Sequence, residues 1–150
     1  MAATTWFLLP VGFAAGAAVA TQFGVNTQLR SVVGGTVTAA AISFIVGAAA
    51  LTLAAVVIDR RIPDATIVVH APPWVWIGGL LGSFYVLASI VLTPRLGAAT
   101  TVGLVLAGQV AASIAIDHFG LLRVPVQEAT LPRLLGALLI VAGVVLVQRF

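Results

Sequence analysis

The chain lacks cysteine and lysine altogether, and charged residues of any kind are scarce. Only 7% of its 150 residues are charged, as seven arginines and four acidic residues. Without cysteine, disulfides, thiolate chemistry and cysteine-based metal sites are excluded. The net charge of +3 reflects the scarcity of acids and not a cluster of basic residues, so the sequence gives no sign of a nucleic-acid partner.

Apolar residues fall into runs long enough to cross a membrane. The hydrophobic fraction is 61% and the mean hydropathy is +1.21, values typical of an integral membrane protein. At roughly 20 apolar residues per span, the sequence predicts an all-α membrane protein, a single membrane domain with helices at about 6–28, 36–58, 74–93, 97–118 and 131–148. The first apolar run is too long for the core of a signal peptide, so we expect it to remain in the mature protein.

The predicted fourth helix has two different faces. One is a line of small residues that lets another backbone approach closely, formed by Ala99, Gly103, Ala107, Ala111 and Ala115. The nearly opposite face runs through Thr101, Val105, Gln109, Ser113 and Asp117. Because polar groups are costly against lipid, we expect this second face to look inward at protein or water.

The first helix repeats this design, with Gly12, Gly16, Ala20 and Gly24 in one line and Gln22 and Asn26 roughly opposite. Small residues of the second helix, including Ser43 and Gly47, are explained by packing. Tyr85 places a phenol within the third helix. The amides of Gln22, Asn26 and Gln109 either fasten helices together or line a cavity for substrate, with Ser113 and Tyr85 as further lining residues.

Asp117 is the acidic residue predicted to lie inside a span, near a helix C-terminus whose dipole disfavours a negative charge. One interpretation is a carboxylate at headgroup level, hydrated or paired with Arg123 or His118. The other is that Asp117 and His118 form a gate or a proton port. We also expect Pro94 to end the third helix, Gly120 to cap the fourth, and the fifth to face lipid or a second copy without a chemical role.

No motif for enzyme chemistry is present in the sequence. It contains no metal-ligand cluster, no glycine-rich phosphate loop and no nucleophile with a base at useful spacing. The sequence therefore predicts a protein that is not an enzyme and has no metal or cofactor.

Several of these pieces, taken together and in order, resemble one family. They are Gly16 with Gln22 and Asn26, Trp76-Ile-Gly-Gly, Gly82, Pro94-Arg-Leu-Gly, Gly108-Gln109 and Asp117-His-Phe-Gly120. The chain resembles the YdcZ family of inner-membrane exporters in the drug/metabolite transporter superfamily. The resemblance implies a location in a bacterial or archaeal inner membrane.

The resemblance also implies a five-helix half of a transporter, because larger members of the superfamily contain two such halves in inverted orientation. A lone half is expected to pair. The related four-helix small multidrug resistance proteins carry a membrane-embedded Glu in their first helix, and this chain has no acid there. Gln22, Asn26, Gln109 and Asp117 remain as this chain's own candidates.

The sequence thus favours a dimeric secondary transporter that exports a small metabolite or drug-like compound by alternating access. The alternatives are a non-transporting membrane subunit, one half of a heterodimeric transporter, and a passive channel, which would need a continuous polar lining.

The distribution of arginines bears on how the chain pairs with itself. Under the five-span interpretation Arg60, Arg61, Arg123 and Arg133 lie on the side of the N-terminus, and Arg30, Arg95 and Arg149 lie on the other side. Cytoplasmic loops normally hold the excess of positive charge, and here the excess is small. We therefore expect insertion in both orientations and an antiparallel homodimer surrounded by lipid, although a single orientation with a parallel or separately encoded partner remains an alternative.

Overall fold

The computed structural model describes residues 8–60, Thr66 and residues 70–150, and these residues form helices and no strand. The α-helices are α1 (Leu8–Val33), α2 (Thr36–Ala54), α3 (Ile77–Leu96), α4 (Ala98–Phe119) and α5 (Leu131–Arg149). A π-helical turn extends α2 to Asp59, and a 3-10 turn from Pro73 precedes α3. All five are long and apolar enough to cross a membrane, which confirms the predicted fold class. The predicted start at residue 6 lies outside the described residues, as does Arg61.

The prediction that Pro94 ends the third helix is wrong, because α3 continues through it to Leu96. Proline has no N–H, so the carbonyl of Ile90, four residues earlier, loses its helical hydrogen-bond donor. Arg30, near the end of α1, donates from Nη1 to that carbonyl at 3.4 Å. The turn comes only at Gly97, whose φ of +83° is readily adopted by glycine.

The chain divides into two compact units, Met1–Val91 and Leu92–Phe150, and the boundary falls within α3. In the first unit α2 and α3 share a small apolar core, and α1 contributes to its edge. Its members are Ala39, Ala40, Val86 and Ile90, with Leu29 and Val33 from α1 packed against them. Gly82 of α3 leaves room for the ring of Phe44, which lies 3.5 Å from the position a Cβ would take.

In the second unit α5 packs against α4, and the expectation that α5 also faces lipid or a second copy stays a prediction. A Cβ on Gly103 would lie 2.7 Å from Cγ2 of Val144, so the two helices touch closely at this point. At the opposite end of α4, Asp117 contacts Arg133 of α5. The surface of α4 that faces α5 therefore begins on the small-residue line and ends on the polar line.

Most of each span is exposed on the single chain. In the most apolar stretch of each of the five spans at most 17% of the residues are buried. Large side chains such as those of Phe13 and Leu139 are exposed. Gly12, Gly16 and Gly24 have no atom within 4 Å of a built Cβ, and Ala111 is exposed. Their role in packing against another helix stays a prediction. The large apolar surface of the five spans is suited to contact with lipid or a second copy.

The Gly103 contact generates a stability test. Gly103→Leu is expected to lower the thermal stability of the purified protein, because overpacking a tight contact costs about 1–3 kcal/mol. Gly108→Leu, in the same helix, is the matched control, since no atom lies within 4 Å of its Cβ position. Unfolding followed by circular dichroism in detergent would compare them. Equal melting temperatures for the two variants would contradict the assignment of Gly103 to the α4–α5 contact.

Candidate functional site

A groove of about 520 Å³ runs between α4 and α5. Its lining residues are Leu106, Gln109, Val110, Ser113, Ile114, Arg133, Gly136, Ala137 and Ile140. Three of these can form side-chain hydrogen bonds, namely Gln109, Ser113 and Arg133. Gln109 and Ser113 are four residues apart on α4, which is about one turn, so they lie on the same face of the helix. The groove thus combines an apolar wall with an amide, a hydroxyl and a guanidinium.

One end of the groove is marked by the ion pair between Asp117 and Arg133. Their side chains are 21% and 31% exposed, and Nη2 of Arg133 donates to Oδ2 of Asp117. This corrects the sequence-based interpretation, in which Asp117 paired with Arg123 or His118. Each charge opposes the dipole of its own helix, because Asp117 is near the C-terminus of α4 and Arg133 is in the first turn of α5. Antiparallel packing reverses this, since each charge then lies beside the favourable end of the neighbouring helix.

Sequence reasoning missed Arg133 because it assigned no chemistry to the fifth helix. A usable signal was present. A lone acid at the end of one span and an arginine in the first turn of the next, joined by a short connection, are placed to meet when the two helices pack antiparallel.

The connection between α4 and α5 folds back over the end of α4. Gly120, with φ of +59°, caps α4 as predicted. The backbone N–H of Gln127 donates to the carbonyl of Asp117 at 3.0 Å, and the N–H of Ala129 donates to Nδ1 of His118 at 3.2 Å. The imidazole of His118 is therefore bound to the connection, while the carboxylate of Asp117 is bound to α5. Their proposed action as a gate or proton port stays a prediction.

In the first unit, α1 and α2 form a smaller groove of about 280 Å³. Gln22 lines it together with Ser43, which the sequence analysis had explained by packing alone, and Gly47 leaves it open on the α2 side. The sequence-predicted polar residues thus fall into two sets, with Gln22, Asn26 and Tyr85 in this unit and the others in the second.

Asn26 and Tyr85 bring unsatisfied polar atoms into the first unit. Asn26 is 2% exposed, and its Nδ2 has no hydrogen-bond partner within the described part of the chain. The hydroxyl of Tyr85 likewise has no partner there, while its ring packs against Phe23 with centroids 5.5 Å apart. Neither residue lines the α1–α2 groove, and a buried amide without a partner is costly.

Among residues 8–60, 66 and 70–150, no three histidine or acidic side chains come together to hold a metal ion. The candidate groups are amides, a hydroxyl and a phenol in the first unit, and an amide, a hydroxyl and one ion pair in the second. Such groups bind and orient a solute through hydrogen bonds and charge.

Comparison with known proteins places the chain in a family. The family model described as "Putative inner membrane exporter, YdcZ" matches residues 7–146. Inner membrane protein YdcZ of Escherichia coli (strain K12) is 42% identical over 76 residues, which are 51% of this chain and 50% of that relative. The chain thus matches about half the length of this curated relative. No solved structure matches.

The description of the family is that of an inner-membrane exporter. Its model covers nearly the whole chain, and the five apolar helices agree with a membrane location. This chain is therefore an integral inner-membrane protein that belongs to the YdcZ family.

Proposed function

We propose that the chain is a secondary transporter that exports a small metabolite or drug-like compound across the inner membrane. The observation that carries this proposal is the groove between α4 and α5, in which Gln109, Ser113 and Arg133 stand on an otherwise apolar surface. Polar groups of a membrane span are costly against lipid, so they serve where water or a solute reaches them. The exporter description of the family supports the same conclusion.

The buried polar atoms of the first unit add support. Nδ2 of Asn26 and the hydroxyl of Tyr85 lack partners in the described residues, and Gln22 lines the groove between α1 and α2. A solute that hydrogen-bonds to such groups recovers the free energy lost by burying them. We propose that this set, like the Gln109 set, contributes to the transport path.

Alternating access requires a contact that forms in one state and breaks in another. Asp117 and Arg133 are suited to this role, because they join α4 to α5 at one end of the groove and their side chains remain partly exposed. We propose that opening of this pair gives the solute access to the groove. Its failure to open would leave the groove closed at this end.

A lone five-helix half is proposed to act as an antiparallel homodimer with a two-fold axis in the membrane plane. The largely exposed spans provide surface for a second copy, and the nearly even arginine distribution gives insertion little preference for one orientation. Such a dimer would supply the inverted repeat that transporters of this kind use to exchange inward-open and outward-open states.

Substitution of Gln109 tests transport through the groove. Gln109→Leu is expected to lower saturable, gradient-driven flux in liposomes roughly tenfold or more, because losing the proposed hydrogen bond to the solute costs about 1–3 kcal/mol once the solute covers the groove. The solute would be chosen by its thermal stabilisation of the purified protein, since a ligand of the folded state raises apparent stability. Gln28→Leu is the matched control, because Gln28 is exposed on α1 and lines neither groove.

Assembly separates the two roles open to Gln109. Cross-linking should find the Gln109→Leu dimer intact. If the variant transports normally but its dimer dissociates, Gln109 only fastens helices. Flux that does not saturate with solute concentration in the unchanged protein would indicate a passive channel instead.

The orientation of the chain is tested with reporters fused to the C-terminus, each active on one side of the membrane only. We expect signal from both reporters. Adding arginines beside Arg149 should shift the population toward a cytoplasmic C-terminus, because the near balance of positive charge is then broken. Signal from one side alone in the unchanged chain would contradict dual orientation.

A further inference from the structure

We propose that the α4–α5 groove binds a small amphipathic carboxylate, whose anionic group takes the place of Asp117 on the guanidinium of Arg133. This inference rests on the proposed function and names the chemical class of its substrate. It follows from the charge of the groove, from the way Arg133 is held, and from the shape of the apolar wall.

Charge gives the first argument. Arg133 is the charged residue among those that line the groove, and Asp117 is not one of the lining residues. Gln109 and Ser113 can both donate hydrogen bonds to an anion. An ammonium group in this groove would meet the positive guanidinium, whereas a carboxylate matches a guanidinium in both charge and geometry.

The hydrogen bonds of Arg133 give the second argument. Its Nη1 donates to the backbone carbonyls of Gln127 at 3.1 Å and Glu128 at 3.4 Å, and its Nη2 donates to Asp117. The two carbonyls hold the guanidinium in place when Asp117 leaves. An incoming carboxylate can then accept from the Nε–H and Nη2–H along one edge of the guanidinium, as a bidentate pair.

This exchange also keeps Arg133 paired. One carboxylate replaces another on Arg133, so no unpaired guanidinium is left inside the protein, which would be costly, and the released Asp117 carboxylate, already 21% exposed, turns to water. A neutral amide cannot compensate the charge in this way. The exchange therefore links substrate binding to the release of α4 from α5, which is the opening step proposed above.

The wall of the groove gives the third argument. Beyond Arg133, α5 presents Gly136, Ala137 and Ile140, and α4 presents Val110 and Ile114. Arg133 and Ile140 are separated by about 10 Å along the helix axis. No other atom lies within 4 Å of the position that a Cβ would take on Gly136, so space remains beside this residue. A ring or short apolar chain attached to the carboxylate fits this wall.

The test uses three probes with one apolar body and different head groups, 3-phenylpropionate, 3-phenylpropanamide and 3-phenylpropylamine. Binding is measured by calorimetry with the full chain in nanodiscs of zwitterionic phosphatidylcholine, which offer no competing lipid anion. We expect the carboxylate to bind and the amide and the amine to bind at least about tenfold more weakly, because a hydrogen bond between two charged groups is stronger than one to a neutral group.

Variants assign the binding to Arg133. Arg133→Gln is expected to weaken carboxylate binding roughly tenfold or more, whereas Arg149→Gln, on the same helix and outside the groove, should leave it unchanged. Asp117→Asn should strengthen binding, because the competing carboxylate is gone. A purely structural ion pair predicts the reverse for Asp117→Asn. This gain also keeps the test decisive if Arg133→Gln fails to fold.

Three results would overturn the proposal. They are equal carboxylate binding by a folded Arg133→Gln variant, preferential binding of the amine with its loss in Asp117→Asn, and tight binding of added phosphatidylglycerol without any binding of the carboxylate. Failure of the substrate class is separable from failure of transport. If carboxylates neither bind nor compete while another solute still shows Gln109-dependent flux, transport stands and the carboxylate assignment falls.

Discussion

The ion pair between Asp117 and Arg133 determines how the second unit is arranged. It fixes the register of α5 against α4 at one end, and the contact of Gly103 with Val144 fixes it at the other. A glycine lets two backbones approach closely, whereas the long side chain of Arg133 spans the space to Asp117 at the other end. The space left between these two points is the groove, so its position follows from one small residue and one pair of charges.

In so apolar a chain a polar group inside a span is costly unless it has a hydrogen-bond partner or reaches water. In the connection after α4, Gln127 donates to a carbonyl at the end of that helix and Ala129 donates to the imidazole of His118. Arg133 donates to two carbonyls of the same connection. A membrane span cannot leave backbone groups to lipid. Asn26, Tyr85 and Gln109 are chief among the polar groups that remain, and we propose these for contact with a transported solute.

The lack of an acid in the first helix gains a physical interpretation from this arrangement. The sequence resembles a family in the same superfamily as the small multidrug resistance proteins. Those proteins bind cations at a membrane-embedded Glu. Here the corresponding helix offers only the neutral amides of Gln22 and Asn26, and the charged residue lining the α4–α5 groove is an arginine. The arginine of this groove is the basis of the proposed carboxylate.

Hydropathy was sufficient to predict the five spans, and the positive φ of Gly120 follows the usual chemistry of helix ends. The partner of Asp117 was not predictable in the same way. Helical periodicity tells which residues share a face but not which neighbour that face meets. The α4 surface that contacts α5 therefore crosses from one predicted face to the other, and only tertiary packing brings Gly103 and Asp117 onto the same neighbouring helix.

Pro94 was misjudged because a proline ends a helix only where nothing else compensates for its missing N–H. Here Arg30 compensates by donating to the carbonyl of Ile90. The two positions are thereby interdependent. An N–H restored at position 94 would return the Ile90 carbonyl to its own helix and leave Arg30 without that acceptor. Related chains should accordingly keep or lose the arginine and the proline as a pair.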